Sequence, residues 1–267
     1  MKKIAIALIS LIISTPLFAA GPTFDDIDAA SMELIVKDFS AAFDHTMMSS
    51  ATPLGDVFGL EMALIVGAVN TKNLDALTKA EDPTASFEAL PVVNLEAAMS
   101  FPMGITAELN YLPSFDADGT KFDRMSLGVK WTLTQNLLKL PFDLAVRGYF
   151  SKVSLSFTQS FTDPAPTTAD ITFDDTITGV QAIASKSFGI VEPYAGLGFA
   201  KADGKLSSST SSIFAPGFTL DTSAKAAPTS VELLAGAQFN LFFFKAAVEY
   251  ASLFGSSRMG AKLGVAF

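Results

Sequence analysis

The chain from residue 57 to its end alternates apolar residues with polar or small ones. In residues 125–133, for example, Leu127 and Val129 share one parity, whereas Ser126 and Lys130 share the other. A period of two residues is typical of a β-strand with one apolar face, and a helical period of 3.6 residues does not explain it. The same alternation recurs over residues 57–68, 91–101, 104–111, 125–133, 142–150, 177–188, 192–200, 231–241, 245–251 and 258–267.

Two of these segments depart from the simple rule. Residues 177–188 alternate most weakly, and beyond Ser151 the apolar positions move to the other parity, at Val153 and Phe157. Such a change predicts either a β-bulge or a strand that continues past the bilayer. We predict an all-β fold, a transmembrane antiparallel β-barrel of about 10 strands (8–12), because bacterial single-chain barrels have an even number of strands.

The links between the segments alternate in length. The short links are 101–104, 135–141, 188–193 and 241–244, and the mostly long, polar ones are 71–86, 113–123, 158–176, 201–230 and 252–257. Outer-membrane barrels have short turns on the periplasmic side and long loops outside. If the barrel begins on the periplasmic side, every short link falls on that side, so the loop lengths support the strand pattern.

The composition also favours a membrane barrel. Apolar residues make up 49% of the chain, 24 residues are Phe, and the mean hydropathy is +0.40. Beyond residue 20, no stretch approaches the roughly 18 uncharged apolar residues of a membrane-spanning helix. Only helices and closed barrels satisfy all backbone hydrogen bonds in lipid, so such a chain crosses a membrane as a barrel. A soluble periplasmic β-sandwich is the competing interpretation.

Residues 1–20, MKKIAIALISLIISTPLFAA, have the order of a secretory signal peptide. Two lysines precede an apolar run at residues 4–13, and Ala19 and Ala20 follow it. This run is shorter than the roughly 20 residues that a membrane anchor needs. We predict a leader that is cleaved after one of these alanines, and export to the outer membrane of a Gram-negative-type cell. A buried N-terminal helix is the alternative.

Residues 31–48 precede the barrel and have a different period. Apolar residues recur there at spacings of three and four, at Met32, Ile35, Val36, Phe39, Phe43 and Met47. This spacing predicts an N-terminal amphipathic helix, with Asp28 or Ser31 as its cap and Glu33 in its first turn. The helix covers the periplasmic mouth, enters the lumen as a plug, or packs on a partner. The predicted divisions are a leader (1–20), a periplasmic or plug segment (21–52) and a barrel (53–267).

Charge and motif content argue against several functions. The formal net charge is −9, and loss of two leader lysines makes it more negative, so we expect no nucleic-acid partner. The chain has no cysteine, which excludes disulfides and thiolate metal sites. His45 is the only histidine, and a Ser-His site would require it to reach a distant serine. We predict no enzyme activity, and no catalytic residue, metal or cofactor.

Charged residues gather on the parity opposite to the lipid face. The predicted lumen-facing residues are Glu61, Glu96, Glu108, Lys130, Arg147, Glu232, Glu249, Arg258 and Lys262. About ten strands enclose an interior that side chains or one small ligand can fill. Charges inside need partners or water. Two interpretations therefore stay open: a salt-bridge network that fills the lumen, or a small polar conduit or ligand pocket that is acidic near Glu61, Glu96 and Glu108.

The last strand, RMGAKLGVAF at residues 258–267, ends on an aromatic residue. It places Arg258 and Lys262 on the lumen parity and Phe267 on the lipid parity. A terminal Phe after an alternating strand resembles the C-terminal signature of outer-membrane β-barrel proteins. The resemblance implies that the barrel-assembly machinery reads this strand. Trp131 fits an aromatic girdle at the membrane interface.

These observations predict a small outer-membrane barrel with lipid as its surroundings. The first functional hypothesis is porin- or transporter-like passage or binding of a small solute, whose identity the residues do not indicate. The alternative is a structural or surface-interaction barrel with a packed lumen and functional extracellular loops.

Overall fold

The computed structural model describes residues 28–55, 57–81, 83–84, 86–117, 120–135, 137–161, 167–209 and 223–267. The predicted leader and its cleavage site lie outside the described residues, as does the middle of the predicted loop 201–230. Within the part of the chain that the structure describes, neither α-helix is long and apolar enough to cross a membrane.

Strands dominate the described chain. Helix α1 (Ala29–Phe43) comes first, and helix α2 (Lys72–Glu81) follows the first strand. The strands are β1 (Gly59–Asn70), β2 (Ala89–Phe101), β3 (Ile105–Ala117), β4 (Thr120–Thr132), β5 (Asp143–Phe161), β6 (Thr167–Ser185), β7 (Val191–Ser208), β8 (Ser223–Ala226), β9 (Thr229–Leu241), β10 (Phe244–Leu253) and β11 (Ser256–Ala266). Each of the ten predicted segments lies largely within one of these strands.

The strands close into a barrel. β1 pairs antiparallel with β2 on one side and with β11 on the other, where Leu64 is opposite Leu263. β8 and β9 pair with successive parts of β7 and are separated by Ala227 and Pro228. Proline cannot donate a ladder hydrogen bond, so this is an interruption within one barrel strand. The eleven described strands therefore fill ten positions of a closed antiparallel barrel, as predicted.

Each strand separates an outer from an inner face. Outward side chains are exposed and inward ones buried in strict alternation along β4. On β9, every outward side chain from Val231 to Leu241 is apolar, over the 9–11 residues that a tilted strand needs to cross a bilayer. We call this outer band the apolar belt. Its exposed members include Met62, Leu95, Leu127, Val129, Phe199, Leu233, Val248 and Leu263.

We call the end where β1 begins and β11 finishes the lower end, and the opposite end the upper end. Above the apolar belt, the pattern of β5 inverts. The strand pairs with β6 without a register shift as far as Phe161, so the change of parity after Ser151 marks a strand that continues past the belt and not a bulge. Val153 and Phe157 are buried inside, whereas Lys152 is exposed outside. The inversion arises because water surrounds the barrel at this level and a helix fills it.

Three predicted long loops are wrong. Residues 113–123 and 158–176 largely continue the β3–β4 and β5–β6 ladders, and β10 and β11 are joined through Phe254 and Gly255 alone. Both of these turn residues have positive φ, at 51° and 80°, as a tight two-residue hairpin turn requires. Polar composition misled the prediction because strand residues above the belt face water.

The N-terminal segment fills the barrel. We call residues 29–52 the plug: α1 lies in the upper lumen, and residues 44–52 run to the lower end. The predicted helix 31–48 extends too far, because α1 ends at Phe43 and Asp44 is already extended (φ −63°, ψ 154°). The last helical carbonyls are bonded by the barrel wall, with Ser151 Oγ donating to Phe43 O at 2.8 Å. The wall thereby replaces the next turn of helix.

Candidate functional site

The filled lumen is the candidate site, and the plug enters it from the upper end. Asp28 and the first residues of α1 are exposed, whereas every residue from Asp38 to Ala51 is buried. The Asp28 carboxylate caps the helix by accepting from Ser31 N at 2.7 Å. Hydrogen bonds from the backbone and side chain of Ser31 hold the pKa of Asp28 below its usual value. From Asp28 at the upper mouth, the described chain thus passes down the lumen and turns into β1 at the lower end.

Most side chains in the upper lumen are apolar. Phe39 lies 4.8 Å from Phe173 of β6 between ring centroids, and Phe43 lies 4.9 Å from Phe122 of β4. On another side of α1, Val36 is so close to Gly204 of β7 that a Cβ on this glycine would come within 2.5 Å of it. Burial of these side chains holds α1 against at least three strands.

A charged cluster surrounds the end of α1. Arg258 Nη1 lies 3.7 Å from Asp44 Oδ2, and its Nη2 lies 3.8 Å from Glu249 and 4.0 Å from Glu232. Arg124 donates to the Asp44 carbonyl and, at 2.6 Å, to Asn94 Oδ1. The cluster therefore joins the plug to strands on opposite sides of the barrel.

His45 lies at the centre of a second cluster. Its Nδ1 is 2.6 Å from Ser126 Oγ, and its Nε2 is 3.2 Å from Glu108 Oε2. Arg147 binds both oxygens of Glu108, with Nε at 2.8 Å and Nη2 at 3.2 Å. The distant serine that a Ser-His site requires is thus Ser126.

This Ser-His-Glu arrangement is a packing contact in the described structure. Ser126 is 0% exposed, so a substrate has no approach to its hydroxyl. Gly128 leaves the space for the imidazole, since a Cβ there would lie 2.6 Å from His45 Nε2. Nucleophilic catalysis needs the serine beside a substrate as well as a base. The cluster ties the plug to strands β3, β4 and β5.

Two lysines hold the lower part of the plug. Lys262 Nζ donates to Glu61 at 2.6 Å, to Glu96 at 3.2 Å and to the Met47 carbonyl at 3.0 Å. Lys130 Nζ donates to two plug carbonyls, Ser50 O at 2.8 Å and Thr52 O at 3.1 Å. The lysine side chains therefore clamp the extended chain from opposite walls.

The structure places all nine predicted lumen-facing residues inside the barrel, buried. Within the described residues, most of them contact the plug or one another in the three clusters. Trp131 lies on the outer face and donates to Met103 O at 3.1 Å, and Phe267 is exposed at the lower end, where its backbone bonds Leu60. Sequence reasoning missed Arg124, although the inward parity of β4 includes it. It also missed Asp38 and Asp44, because no pattern in the sequence pairs a helix with a distant strand.

The model of one protein family, described as "Family of unknown function (DUF6588)", matches residues 28–265. No curated protein matches the chain in sequence. Among solved structures, the translocator domain of autotransporter NalP from Neisseria meningitidis is 11% identical, with a TM-score of 0.50 over 87% of this chain and 93% of that one.

Two further solved barrels match this chain over nearly all of their own length. The beta domain of the Bordetella autotransporter BrkA is 13% identical, with a TM-score of 0.42 over 79% of this chain and 100% of that one. The outer membrane protease OmpT from Escherichia coli is 10% identical, with a TM-score of 0.41 over 83% of this chain and 99% of that one. At 11% identity, the likeness to the NalP translocator domain concerns the fold, which is that of an outer-membrane β-barrel.

Proposed function

We propose that this chain, which belongs to the family just described, is an outer-membrane barrel that its own N-terminal segment keeps closed. Its function then lies at the upper surface, as a structural or surface-interaction barrel, and not in a permanently open pore. The apolar belt supports a place in a bilayer, and the long β5–β6 hairpin that continues past the belt at the upper end supports a periplasmic location for the lower end. Export by the predicted leader would bring it there.

The filled lumen is the observation that carries this proposal. Every residue from Asp38 to Ala51 is buried, and the clusters around Arg258, His45 and Lys262 use the charges that a polar conduit would need. A solute path requires charged groups that face water, whereas these face the plug and one another. The packed lumen is therefore the better of the two interpretations.

Passage of a small solute is the second candidate, and it requires the plug to move. The lower plug supports it, because hydrogen bonds to Lys130 and Lys262 can exchange for water more readily than packed aromatic rings can separate. A movable lower plug would make the barrel a gated channel.

Planar-bilayer recording tests the closed state. We expect the folded wild-type protein, identified by heat-modifiable migration on gels, to give no steady conductance. Lys130→Met removes two bonds to the plug, and Lys152→Met makes the same change on the outer face of β5. Steady ohmic steps from the wild type would contradict the proposal. Openings in Lys130→Met but not in Lys152→Met would favour the gated channel.

Surface labelling tests the orientation. The chain has no cysteine, so Ala30→Cys at the upper mouth and Ser187→Cys at a lower turn each introduce one exposed thiol. A membrane-impermeant thiol reagent should label the first in intact cells and the second only after the outer membrane is permeabilised. The opposite pattern would place the upper end in the periplasm.

A further inference from the structure

Asp38 is a buried carboxylate in the middle of α1, yet its partners lie outside the plug. Its Oδ2 accepts from Asn73 N and Leu74 N, both at 2.8 Å. Its Oδ1 accepts from Asn73 Nδ2 at 2.8 Å and from Ser256 Oγ at 2.7 Å. The side chain is 0% exposed, so these four bonds replace its contact with water.

Three of the four bonds come from the first turn of α2, two of them from its backbone N–H groups. Thr71 precedes this helix, and its carbonyl accepts the first helical bond, from Asp75 N at 2.9 Å. Thr71 therefore occupies the N-cap position, whose side chain usually accepts from the second or third helical N–H. Here the Thr71 hydroxyl instead donates to Phe87 O at 2.6 Å. Asp38 of α1 caps α2 instead, because its carboxylate accepts from the backbone N–H groups of Asn73 and Leu74.

The helix that Asp38 caps lies over the upper mouth. We call residues 72–88 the lid, leaving aside positions 82 and 85, which the structure does not describe. Leu74 is buried in the same apolar cluster as α1, and Leu77 packs against it. Asp75 organises the lid from within, because it accepts from Phe87 N at 2.9 Å and from Lys79 Nζ at 2.7 Å. The lid has these bonds of its own, and Asp38 connects it to the plug.

We propose that Asp38 couples the plug to the lid, so that the two open as one cooperative unit. The inference rests on the proposed function, in which the plug closes the barrel. When α1 leaves its place, the first-turn N–H groups of α2 lose their acceptors. When α2 unfolds, a buried carboxylate loses three of its four bonds. Neither event is favourable alone, and thermodynamic linkage makes the coupling reciprocal.

Cysteine reporters measure opening of each part separately in this cysteine-free chain. Thr78→Cys reports on the lid and Ala42→Cys on the plug, since both positions are buried and each change alters the side chain by one heavy atom. Thiol-labelling rates in lipid vesicles follow local opening. In the Asp38→Ala background we expect both rates to rise by roughly tenfold to a hundredfold, the effect of losing buried hydrogen bonds to a charged group.

A double-mutant cycle distinguishes coupling from two independent losses. Asp75→Ala changes contacts inside the lid only, so coupling predicts that it raises labelling at position 42 when Asp38 is present and leaves it unchanged when Asp38 is alanine. Asp174→Ala removes an exposed carboxylate of β6 from the same end of the barrel and should change neither rate.

The proposal is overturned if Asp38→Ala raises labelling of the lid alone or of the plug alone. It is equally overturned if Asp75→Ala has no effect at position 42 in the presence of Asp38. Asp38→Asn keeps the size and one carbonyl acceptor, so it serves if the alanine variant does not fold, with a smaller rise expected at both positions. Steady conductance of the wild type would contradict the closed-barrel proposal, whereas labelling tests the coupling itself.

Discussion

The upper and lower halves of the plug are held by different contacts. Above Asp44 the plug is a helix among apolar side chains, whereas below it is an extended chain among amides, hydroxyls and charged groups. A helix satisfies most of its backbone hydrogen bonds itself, but an extended segment inside a barrel leaves N–H and C=O groups open. The two halves of the barrel wall differ because the plug requires different partners from them.

The lower wall supplies these partners one by one. Thr46 N donates to Asn110 Oδ1 at 2.9 Å, and Ala51 N donates to Ser185 Oγ at 3.1 Å. Thr132 Oγ1 donates to the Ala51 carbonyl at 2.6 Å. Many inward polar residues of the strands therefore bond the plug backbone, which an interpretation as a solute path overlooks. The comparison predicts that the lower half responds to lost charge or hydrogen bonds, and that the upper half, apart from Asp38, responds to changes in volume.

The largest effect is expected for Arg147→Ala in the lower half. The substitution leaves Glu108 buried without its guanidinium partner, and we expect the free energy of unfolding to fall by about 3–5 kcal/mol. Denaturant titration in lipid vesicles, followed through the single Trp, measures it. Lys152→Ala, on the exposed face of the same strand, should stay within about 0.5 kcal/mol of the wild type. Arg147→Met combined with Glu108→Gln should recover most of the lost free energy of unfolding. If it does not, the loss arises from packing and not from the unpaired charge.

A change of volume should act in the upper half. Gly204→Ala places a methyl group 2.5 Å from Val36 Cγ2, and we expect a loss of about 1–3 kcal/mol in the same titration. Gly148→Ala introduces the same methyl on the outer face of β5, where nothing lies within 4 Å, and should be nearly neutral. Val36→Ala in the Gly204→Ala background should relieve the clash. Equal losses at the two glycines would contradict the close approach of α1 to β7.

The smallest effect is expected for Thr132→Val. The change preserves shape and removes the bond to the Ala51 carbonyl, so we expect a loss of about 1 kcal/mol. Thr178→Val, on the exposed face of β6, makes the same exchange without touching the plug and should stay within about 0.5 kcal/mol. No difference between the two variants would mean that the plug backbone does not depend on the wall at this level.

Some of the site could be predicted from the sequence and some could not. The inward parity of Glu61, Glu96 and Lys262 is a local property of their strands, and the structure places all three in one cluster. The partners of Asp38 and His45 could not be predicted, because the contacts between plug and wall join residues far apart in the chain. The inward orientation of Val153 and Phe157 was harder still to predict, because the sequence does not show that α1 lies beside them.

The sequence by itself determined the barrel, its number of about ten strands, the face that most of them turn outward and an N-terminal helix capped by Asp28 or Ser31. It could do so because the period of a strand and the cap of a helix depend on neighbouring residues. Only the tertiary structure decided that the helix enters from the upper end, stops at Phe43 and lies inside the lumen. Those outcomes depend on which side chains the closed sheet brings together around the plug.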